Sequence, residues 1–495
     1  MTIRQSLAIL FLLTSTAAPA APPSAAALAD VDKIFADWQL AAHVPGMVYG
    51  VVADGKLVHV RGLGVQDIAT KTPVTPDTLF RIASMSKAFT ALAILKLRDD
   101  GKLSLDAPAE TYVPELRNWK YPTSDSPKIT VRNLLTHSAG FVEDNPWGDR
   151  QQVLTEPEFT AMLTSGVPFA RAPGLGMEYS NLGYATLGRI VSNVSRVRYQ
   201  DTIVRTLMRP LGMTATTYDV FASPPARRAI GYRWQDNRWL REPDMKDGAF
   251  GAMGGVETSA NDYAKWVAFL LSAWPARDDP DRGPVRRSTV REIVTGANFV
   301  SGTMRNPAVG GTPCRQARAY AMGWNVVDDC DLGTVVTHSG GYPGYGSNVL
   351  LLPDKGVGLF VFTSKTYGGA SLPNFRAALS LAKASALTSR TVATSTGLAT
   401  AYDAARAVWR SGDIAAAPLA NNMLMDHDAA GWRKSVDDVK SEVGPCPTTE
   451  AVTPTSAMEG TFHWTCEHGR VTGRVQRAPN PTITLQALEF AVDKP

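Results

Sequence analysis

The sequence of 495 residues has few cysteines, little excess charge and no long apolar run in its interior. Lysine and arginine number 50 against 46 aspartate and glutamate residues, so the formal net charge is only +4 at pH 7. The basic stripe typical of nucleic-acid-binding proteins is missing, and we expect no nucleic-acid partner. With 44% hydrophobic residues, 41 glycines and 33 prolines, the composition also excludes disordered and collagen-like chains. It is that of an ordinary globular protein.

The N-terminus has the pattern of an export signal. Arg4 supplies a positive charge, residues 7–13 (LAILFLL) form a short apolar run, and residues 18–20 (APA) are typical of a cleavage site. The apolar run is too short to span a bilayer, and no later run is long enough. We therefore expect residues 1–20 to be a signal peptide. The mature protein would then be periplasmic or secreted, with no integral membrane segment. A buried first helix is the alternative.

Only four cysteines are present, and they fall into two close pairs. Cys314 lies near Cys330, and Cys446 lies near Cys466. Of the three possible pairings, this clustering favours the two local disulfides, which an oxidising compartment allows. A zinc site that combines the second pair with two neighbouring histidines is the alternative, although its spacing is irregular. These histidines are His463 and His468.

The hydrophobic periodicity predicts an α+β fold with a helical interruption. The predicted elements are a helix over 30–42, strands over 47–52 and 56–60, a helix over 84–97, strands over 333–337, 347–352 and 357–363, and a helix over 372–387. We expect the early and late strands to form one antiparallel sheet flanked by helices. Roughly residues 104–310 would then be a mostly helical insertion subdomain.

The last part of the chain is expected to be a separate small α+β domain, residues 399–495. A stretch rich in Ser, Thr and Ala over 388–398 is typical of a linker. Beyond it we predict helices over 399–410 and 426–443 and strands over 459–466, 469–477 and 482–491. The sequence indicates no role for this domain.

The sharpest motif is a Ser-x-x-Lys sequence, Ser84 and Lys87, that opens a predicted helix. Positions i and i+3 share a helix face, so the lysine can approach the serine hydroxyl. Serine is a weak nucleophile unless a neighbouring group takes its proton. The helix N-terminus adds a partial positive charge near the reacting atoms. By itself, however, the pattern is also that of a capping serine followed by a solvated lysine.

Tyr179-Ser180-Asn181 is the second candidate. We expect the ammonium of Lys87 to lower the pKa of the Tyr179 phenol and make it a general base. The Asn181 amide can donate and accept hydrogen bonds, to a substrate amide and to Lys87. The alternative is a capped helix start with a packed tyrosine.

The third candidate is His338-Ser339-Gly340-Gly341 at the end of a predicted strand. We expect glycine to let a substrate lie close to the strand edge, and a following backbone N–H to face a developing oxyanion. A histidine at a strand end is alternatively structural. The three motifs occur in the order and contexts that their roles need, and this favours the catalytic interpretation.

With these motifs the chain resembles the class C β-lactamase and D-alanyl-D-alanine carboxypeptidase family, whose relatives include D-aminopeptidases and esterases. Ser-x-x-Lys is one of its signatures. The resemblance covers roughly residues 30–387, and we expect residues 28–388 to be one hydrolase domain. Stretches 134–140, 254–262 and 338–346 also look like the family. It implies a β-lactamase/transpeptidase-like fold and a serine mechanism without metal or cofactor.

The resemblance also implies a role for each candidate residue. Ser84 would be the acylated nucleophile, and Lys87 and Tyr179 would manage its proton. Asn181 would bind substrate, and the backbone N–H groups of Ser84 and Gly341 would form the oxyanion hole. The remaining substrate-binding positions would be His338, Ser339 and Gly340.

One departure from the family pattern concerns the substrate. Many β-lactamases and carboxypeptidases have Lys-Thr-Gly where this chain has residues 338–340 (HSG). A histidine is mostly neutral at pH 7, so recognition of a substrate carboxylate should be weaker than with lysine. The His-x-Gly form occurs in members similar to D-aminopeptidases and esterases. We therefore expect slow or absent penicillin hydrolysis.

The expected function is that of an exported serine hydrolase, which forms an acyl-enzyme at Ser84 from a small-molecule or peptide substrate. Hydrolysis of D-amino-acid peptides or esters is favoured, and β-lactamase activity is the alternative. A non-catalytic binding protein of the cell envelope or peptidoglycan is the alternative of another class. The intact Ser84, Lys87, Tyr179 and Asn181 argue against a decayed site. The oligomeric state stays open.

Overall fold

The structure is a computed structural model that describes residues 23–144, 148–277, 279–384, 387, 389–390, 392–425 and 427–493. The signal peptide expected over residues 1–20 therefore lies outside the described residues. The described chain forms two compact units, a larger one within Ala20–Trp274 and Asp281–Ser389 and a smaller one within Pro275–Pro280 and Arg390–Pro495. Among the described residues, none of the helices has the length and apolar character that a membrane span requires.

The larger unit contains most of the secondary structure. Its α-helices are α1 (Ala25–Ala41), α2 (Lys87–Asp99), α3 (Val131–Leu135), α4 (Glu156–Ser165), α5 (Asn181–Ser195), α6 (Tyr199–Ile203), α7 (Ala260–Leu271), α8 (Arg287–Glu292) and α9 (Ser371–Lys383). Its strands are β1 (Gly46–Ala53), β2 (Lys56–Asp67), β3 (Thr72–Pro73), β4 (Phe80–Arg81), β5 (Tyr232–Gln235), β6 (Arg238–Arg241), β7 (Glu257–Thr258), β8 (Asn298–Met304), β9 (Arg315–Tyr320), β10 (Asn325–Asp329), β11 (Gly333–Tyr342), β12 (Tyr345–Leu352) and β13 (Val357–Thr363).

An antiparallel sheet of nine strands forms the frame of this unit, in the order β3-β2-β1-β13-β12-β11-β10-β9-β8. The early hairpin joins the late strands because β1 pairs with β13, with Met47 opposite Thr363. The turn of that hairpin has Asp54 at φ 47° and Gly55 at φ 74°, the two positive angles that a tight two-residue turn needs. The predicted α+β fold with one antiparallel sheet is confirmed.

The sheet lies between two layers of helices. On one face, Val48 and Val52 of β1 belong to the same apolar core as residues of α2 and α7. On the other face, Met47 and Val51 belong to a core with α1 and α9. Strand β1 is therefore buried along its whole length, which explains its almost continuous apolar sequence.

Several predicted boundaries were wrong. Helix α1 begins at Ala25, five residues before the predicted start, because the Ser24 side chain caps it and the alanines after Ser24 are helical. Helix α9 ends at Lys383 rather than at 387. Strands β8, β9 and β10 were not predicted at all. They lie towards one edge of the sheet, and the arginine-rich, largely exposed β9 lacks the apolar alternation that marks a half-buried strand.

The smaller unit contains α10 (Thr396–Ser411), α11 (Ala429–Val443), β14 (Thr453–Pro454), β15 (Glu459–Cys466), β16 (Gly469–Arg477) and β17 (Leu485–Asp493). Its four strands form one antiparallel sheet, and Leu398 of α10 packs in a common core with Trp464 of β15. Helix α10 starts inside the stretch that we expected to be a linker, because the Ser395 side chain caps it.

The structure contains both disulfides that the cysteine spacing favoured. Cys314 is bonded to Cys330 in the larger unit, and Cys446 is bonded to Cys466 in the smaller one. The sulfur atoms of the alternative zinc site are therefore joined to each other.

Candidate active site

Ser84 lies on a short 3₁₀ turn, Ala83–Ser86, that leads into α2. We expected Ser84 to open the α-helix itself, but that helix begins at Lys87. Ala83 has a φ of 48°, a left-handed angle that is strained for a residue with a side chain. The Ile82 carbonyl holds the turn by accepting the backbone N–H of Met85 and the hydroxyl of Ser347, at 3.2 and 2.8 Å.

The ammonium or amine nitrogen of Lys87 is fully buried against three oxygens. Its Nζ lies 3.1 Å from Ser84 Oγ, 2.7 Å from Asn181 Oδ1 and 2.9 Å from the Met253 carbonyl. The last two oxygens can only accept hydrogen bonds. A neutral amine would donate its two hydrogens to them, and its lone pair would then face the Ser84 hydroxyl. This is the arrangement that a general base needs.

The surroundings of Lys87 shift its pKa into the range in which it can act as that base. Burial lowers the pKa of Lys87 to about 7, although the negative charges of Asp149 and Asp144 act in the opposite direction. A substantial fraction of the side chain is therefore neutral near pH 7. A buried lysine with a lowered pKa is a recognised way to obtain a base at neutral pH.

Tyr179 does not have the lowered pKa that we expected. Burial raises its pKa, and the carboxylates of Asp149 and Asp144 also raise it, whereas the Ser84 hydroxyl acts against them. The Lys87 nitrogen lies over the tyrosine ring, 4.9 Å from its centre, and not against the phenol oxygen. Tyr179 therefore stays a neutral phenol, which can donate a proton but is a poor base.

Asn181 is placed by a carboxylate that the sequence analysis did not single out. Asp144 accepts the backbone N–H groups of Asn181 and Leu182, both at 2.7 Å, and the Ser180 hydroxyl at 3.2 Å. It therefore caps the N-terminus of α5, at whose first position Asn181 turns its side chain to Lys87. A carboxylate satisfies the free N–H groups of a helix start well. The preceding residue Ser180 caps the helix as well, since its hydroxyl accepts the Gly183 N–H at 3.1 Å. Asp144 lies 37 residues before Asn181, so no local pattern reveals its part in the cap.

His137 supports the loop that carries Tyr179. Its Nδ1 accepts the Ser180 N–H at 3.1 Å, and its ring lies 4.3 Å from the ring of Tyr179 and 4.6 Å from that of Tyr320. Burial holds its pKa well below the usual value, so His137 is neutral. These contacts indicate a structural role, in which His137 supports the position of Tyr179.

His338 is neutral and faces Tyr320. Its Nδ1 lies 2.7 Å from the Ser339 carbonyl, which can only accept, so Nδ1 carries the proton. Its Nε2 then accepts the Tyr320 hydroxyl at 3.1 Å. Burial, together with the charge of Lys87, lowers the pKa of His338 to about 4. The position that holds a lysine in many β-lactamases therefore has no positive charge at pH 7.

Residues 338–341 lie inside strand β11 and not at its end, which corrects the sequence prediction. We expected Gly340 to make room for a substrate, but its surroundings are filled by the protein itself. A Cβ atom at Gly340 would come within 2.3 Å of the Ile82 carbonyl and 2.2 Å of Ser347 Oγ. Glycine is needed because the strand packs directly against the turn that carries Ser84. The exposed Ser339 accepts the Asn348 side-chain amide at 3.1 Å.

Asp149 and Tyr367 are two further residues of the site without a sequence motif. The Tyr367 hydroxyl donates to Asp149 Oδ2 at 3.1 Å, and a Cβ atom at Gly341 would lie 2.8 Å from the Tyr367 ring. The neighbouring Gly148 packs against Asn181. Burial raises the pKa of Asp149 to about 6, whereas the charge of Lys87 lowers it. Tyr367 contacts β11 at Gly341, and Gly148, next to Asp149, contacts Asn181 at the start of α5. The hydrogen bond between Tyr367 and Asp149 therefore connects these two parts of the site.

Within the described residues, one group of side chains has the types and spacing of metal ligands: Asp329, Cys330 and Asp331. Arg305 already forms ion pairs with both of these carboxylates at 2.6 Å. The Cys330 sulfur belongs to a disulfide. The cluster is explained by these bonds and gives no argument for a metal ion.

Comparison with known proteins gives consistent results. A family model described as Beta-lactamase matches residues 31–383. Protein flp of Staphylococcus aureus (strain N315) is 30% identical over 343 residues, 68% of this chain and 62% of that protein. The chain thus spans about 62% of the length of this curated relative. The uncharacterized protein MT1414 of Mycobacterium tuberculosis is 32% identical over 241 residues, 44% of this chain and 59% of that protein.

Among solved structures, the octameric penicillin-binding protein homologue from Pyrococcus abyssi is similar in fold. The TM-score is 0.60 at 19% identity, and the match covers 94% of this chain and all of the other, 100%. At this identity the likeness concerns the fold alone.

Proposed function

The chain belongs to the Beta-lactamase family, and on this premise we propose that it is a serine hydrolase that forms an acyl-enzyme at Ser84 from an amide or ester substrate. The observation that carries this proposal is the position of Lys87. Its buried nitrogen lies 3.1 Å from Ser84 Oγ and has a pKa of about 7. A serine next to an amine that is partly neutral at pH 7 has the base that it needs to become a nucleophile.

In the first half of the reaction, Lys87 takes the Ser84 proton while Oγ attacks the substrate carbonyl carbon. The ammonium that forms donates to Asn181 Oδ1 and the Met253 carbonyl, which already contact the nitrogen. The oxyanion accepts hydrogen bonds from the backbone N–H groups of Ser84 and Gly341.

The leaving group then departs with a proton from the neutral Tyr179 phenol, whose pKa is influenced by the Ser84 hydroxyl. Lys87 returns a proton to Tyr179, so both residues regain their starting charge. Water then attacks the acyl-enzyme with the same groups acting in reverse, and the acid product and free Ser84 are released.

The favoured substrates are D-amino-acid peptides or esters rather than β-lactams. The support is the neutral His338, which offers no permanent cation to the carboxylate of a penicillin or cephalosporin. The His-x-Gly pattern that the chain shares with D-aminopeptidase and esterase relatives supports the same choice. The loss of one charged partner for a substrate carboxylate weakens recognition by several kcal/mol at most.

We further propose that the protein is exported after removal of residues 1–20, and that residues 28–388 form the catalytic domain and residues 399–495 a separate domain. The two disulfides are compatible with an oxidising compartment. N-terminal sequencing of the protein recovered from the periplasm or medium tests the first point. We expect the mature chain to start just after residue 20. Retention of residues 1–20 in a cytoplasmic protein would contradict export.

Parallel hydrolysis assays test the proposed reaction. A D-alanyl peptide, a short-chain ester and a penicillin are offered to the wild type and to Ser84→Ala. We expect the wild type to hydrolyse the peptide or the ester, with slow or no turnover of the penicillin, and Ser84→Ala to hydrolyse none. Efficient penicillin hydrolysis would overturn the substrate preference. Full activity of Ser84→Ala would overturn the mechanism, and no turnover by the wild type would favour a non-catalytic binding protein.

A further inference from the structure

Asp149 is a buried carboxylate whose hydrogen-bonding capacity is largely unused. Only 4% of the residue is exposed. Among the described residues, the one hydrogen bond to its side chain comes from the Tyr367 hydroxyl, which reaches Oδ2. No lysine or arginine of the described chain forms an ion pair with it, although the charges of Lys87 and Arg150 act on it from a distance. A buried charge without a paired partner is unfavourable.

The other carboxylate that acts on Lys87 is in a different situation. Asp144 accepts two backbone N–H groups and one hydroxyl at the start of α5, so its oxygens are occupied. Its role in holding that helix accounts for its burial. Within the described residues, Asp149 has the Tyr367 hydroxyl alone as a hydrogen-bond partner of its side chain, and this one bond does not account for the burial of a carboxylate.

The position of Asp149 relates it to the reacting atoms. Its partner Tyr367 packs on Gly341, which would supply an oxyanion N–H, and the adjacent Gly148 packs on Asn181. The charge of Asp149 also acts on Lys87. The backbone of Tyr367 has a left-handed conformation, with φ 50°. Backbone strain of this kind is concentrated at functional sites.

We propose that Asp149, fixed by the Tyr367 hydroxyl, binds a protonated amino group that the substrate carries beside its scissile carbonyl. The substrate ammonium would supply the ion-pair partner that Asp149 does not find among the described residues. This inference deepens the proposed function and rests on it, because the amino group is placed relative to the carbonyl that Ser84 attacks. It names the substrate class as free α-amino acyl amides and esters.

A binding experiment without turnover tests this inference. Ser84→Ala, which lacks the nucleophile, is titrated calorimetrically at pH 7 with D-alaninamide and with N-acetyl-D-alaninamide. The amino group of the first ligand is mostly protonated at this pH, and acetylation of the second removes that charge. We expect D-alaninamide to bind about 10-fold or more tightly than its acetylated analogue, as for a partly buried charge pair.

Two further variants locate the source of this preference. Adding Asp149→Asn to Ser84→Ala should abolish the difference between the two ligands. Adding Asp247→Asn should leave it intact, since Asp247 is another buried carboxyl with a pKa raised to about 6 but is not among the charges that act on Lys87. Equal binding of the two ligands, no binding of either, or a preference that survives Asp149→Asn would overturn the inference.

A kinetic measurement separates substrate binding from an effect on the base. Asp149→Asn also changes the charge near Lys87, and this effect is common to all substrates. The effect common to all substrates cancels in the ratio of kcat/KM for D-alanine p-nitroanilide to kcat/KM for N-acetyl-D-alanine p-nitroanilide. We expect that ratio to fall about 10-fold or more in Asp149→Asn. An unchanged ratio with an equal loss for both substrates would mean that Asp149 acts only through Lys87. Absence of any Ser84-dependent turnover would instead contradict the proposed function, while the binding result would stand.

Discussion

At the scale of single residues, the site depends on which groups are charged. Lys87 is partly neutral near pH 7, Tyr179 and His338 are neutral, and Asp149 is mostly ionised. Burial is the largest influence on each pKa and disfavours the charged form. Asp149 stays mostly ionised at pH 7 because its raised pKa, about 6, is still below that pH. The base is therefore the lysine, and the tyrosine can act as a proton donor.

This assignment predicts a pH profile. Because Lys87 acts in its neutral form, kcat/KM should rise with pH through a midpoint near its pKa of about 7. Asp149→Asn removes a negative charge that favours the ammonium, so the midpoint should move to lower pH. The profiles of the two proteins, measured on an N-acetylated substrate, check this. A midpoint that stays in place or moves to higher pH would count against it.

Tyr179→Phe removes the proposed proton donor and keeps the ring. We expect kcat to fall about 100-fold or more, which is typical for loss of a general acid or base. Tyr112→Phe is a matched control, because that hydroxyl accepts the Ser104 N–H and belongs to another part of the larger unit. Its activity should stay near that of the wild type. Steady-state assays of the folded variants are the measurement, and an unaffected Tyr179→Phe would refute the assignment.

The sequence identified four of the residues that the structure brings together, Ser84, Lys87, Tyr179 and Asn181. It did not yield Asp144 or Asp149, because neither belongs to a motif and both act on residues distant in the chain. It also led to the wrong direction for the pKa of Tyr179. Burial and charges from other loops decide that quantity, and the local sequence contains neither.

At the scale of elements, the start of α5 is fixed by a carboxylate cap. Asp144→Asn should lower the free energy of unfolding by about 1 to 2 kcal/mol, since it weakens the bonds to the first N–H groups of the helix. Asp219→Asn is the matched control. That exposed aspartate caps only a short 3₁₀ turn, so we expect a smaller effect. Denaturant unfolding of both variants checks this, and equal effects would disagree with it.

The contact between β11 and the Ser84 turn leads to another prediction. Gly340→Ala would bring a methyl group against the Ile82 carbonyl, and such overpacking costs about 1 to 3 kcal/mol. We expect lower stability and lower kcat, because the turn must shift. Gly302→Ala is the control, since its Cβ would meet only Phe299 at 3.9 Å. Thermal unfolding and kcat of both variants are the measurements. A Gly340→Ala variant with normal values of both would show that the packing is looser than described.

The predictability of the elements depended on their patterns. The first hairpin was found because Asp54-Gly55 separates two apolar strands, and β13 has the predicted bounds, 357–363. Strands β8 to β10 were missed, and for β9 the reason is an arginine-rich, largely exposed sequence without apolar alternation. The strand that contains His338 was predicted too short, since the glycines after it are typical of a turn. Here the paired strand β12 outweighs local propensity.

At the scale of the whole molecule, two units each contain one disulfide. Replacing Cys446 and Cys466 by serine opens a link that spans 20 residues. We expect the smaller unit to lose about 3 kcal/mol of unfolding free energy, as for loops of this size. Hydrogen exchange of α10 and β15 should report it, with the Cys314→Ser/Cys330→Ser variant as the control. Unchanged protection in the smaller unit would contradict the prediction.

Composition and spacing were informative at this scale. Four cysteines in two close pairs led to the disulfides that the structure contains. The motif order led to the family that the comparison shows over residues 31–383. The role of the smaller unit could not be predicted in the same way. Its aromatic residues, such as Phe462 and Trp464, are buried in its own core and leave no chemical signature.

The central claim is that Ser84 becomes acylated with Lys87 as its base. Intact-mass measurement during turnover of a D-alanyl ester tests it most directly. We predict a mass increase equal to the acyl group on the wild type, no adduct on Ser84→Ala, and a greatly slowed adduct on Lys87→Met. An adduct of the same mass and rate on Ser84→Ala, or turnover by the wild type without any adduct at Ser84 under rapid quenching, would contradict the account.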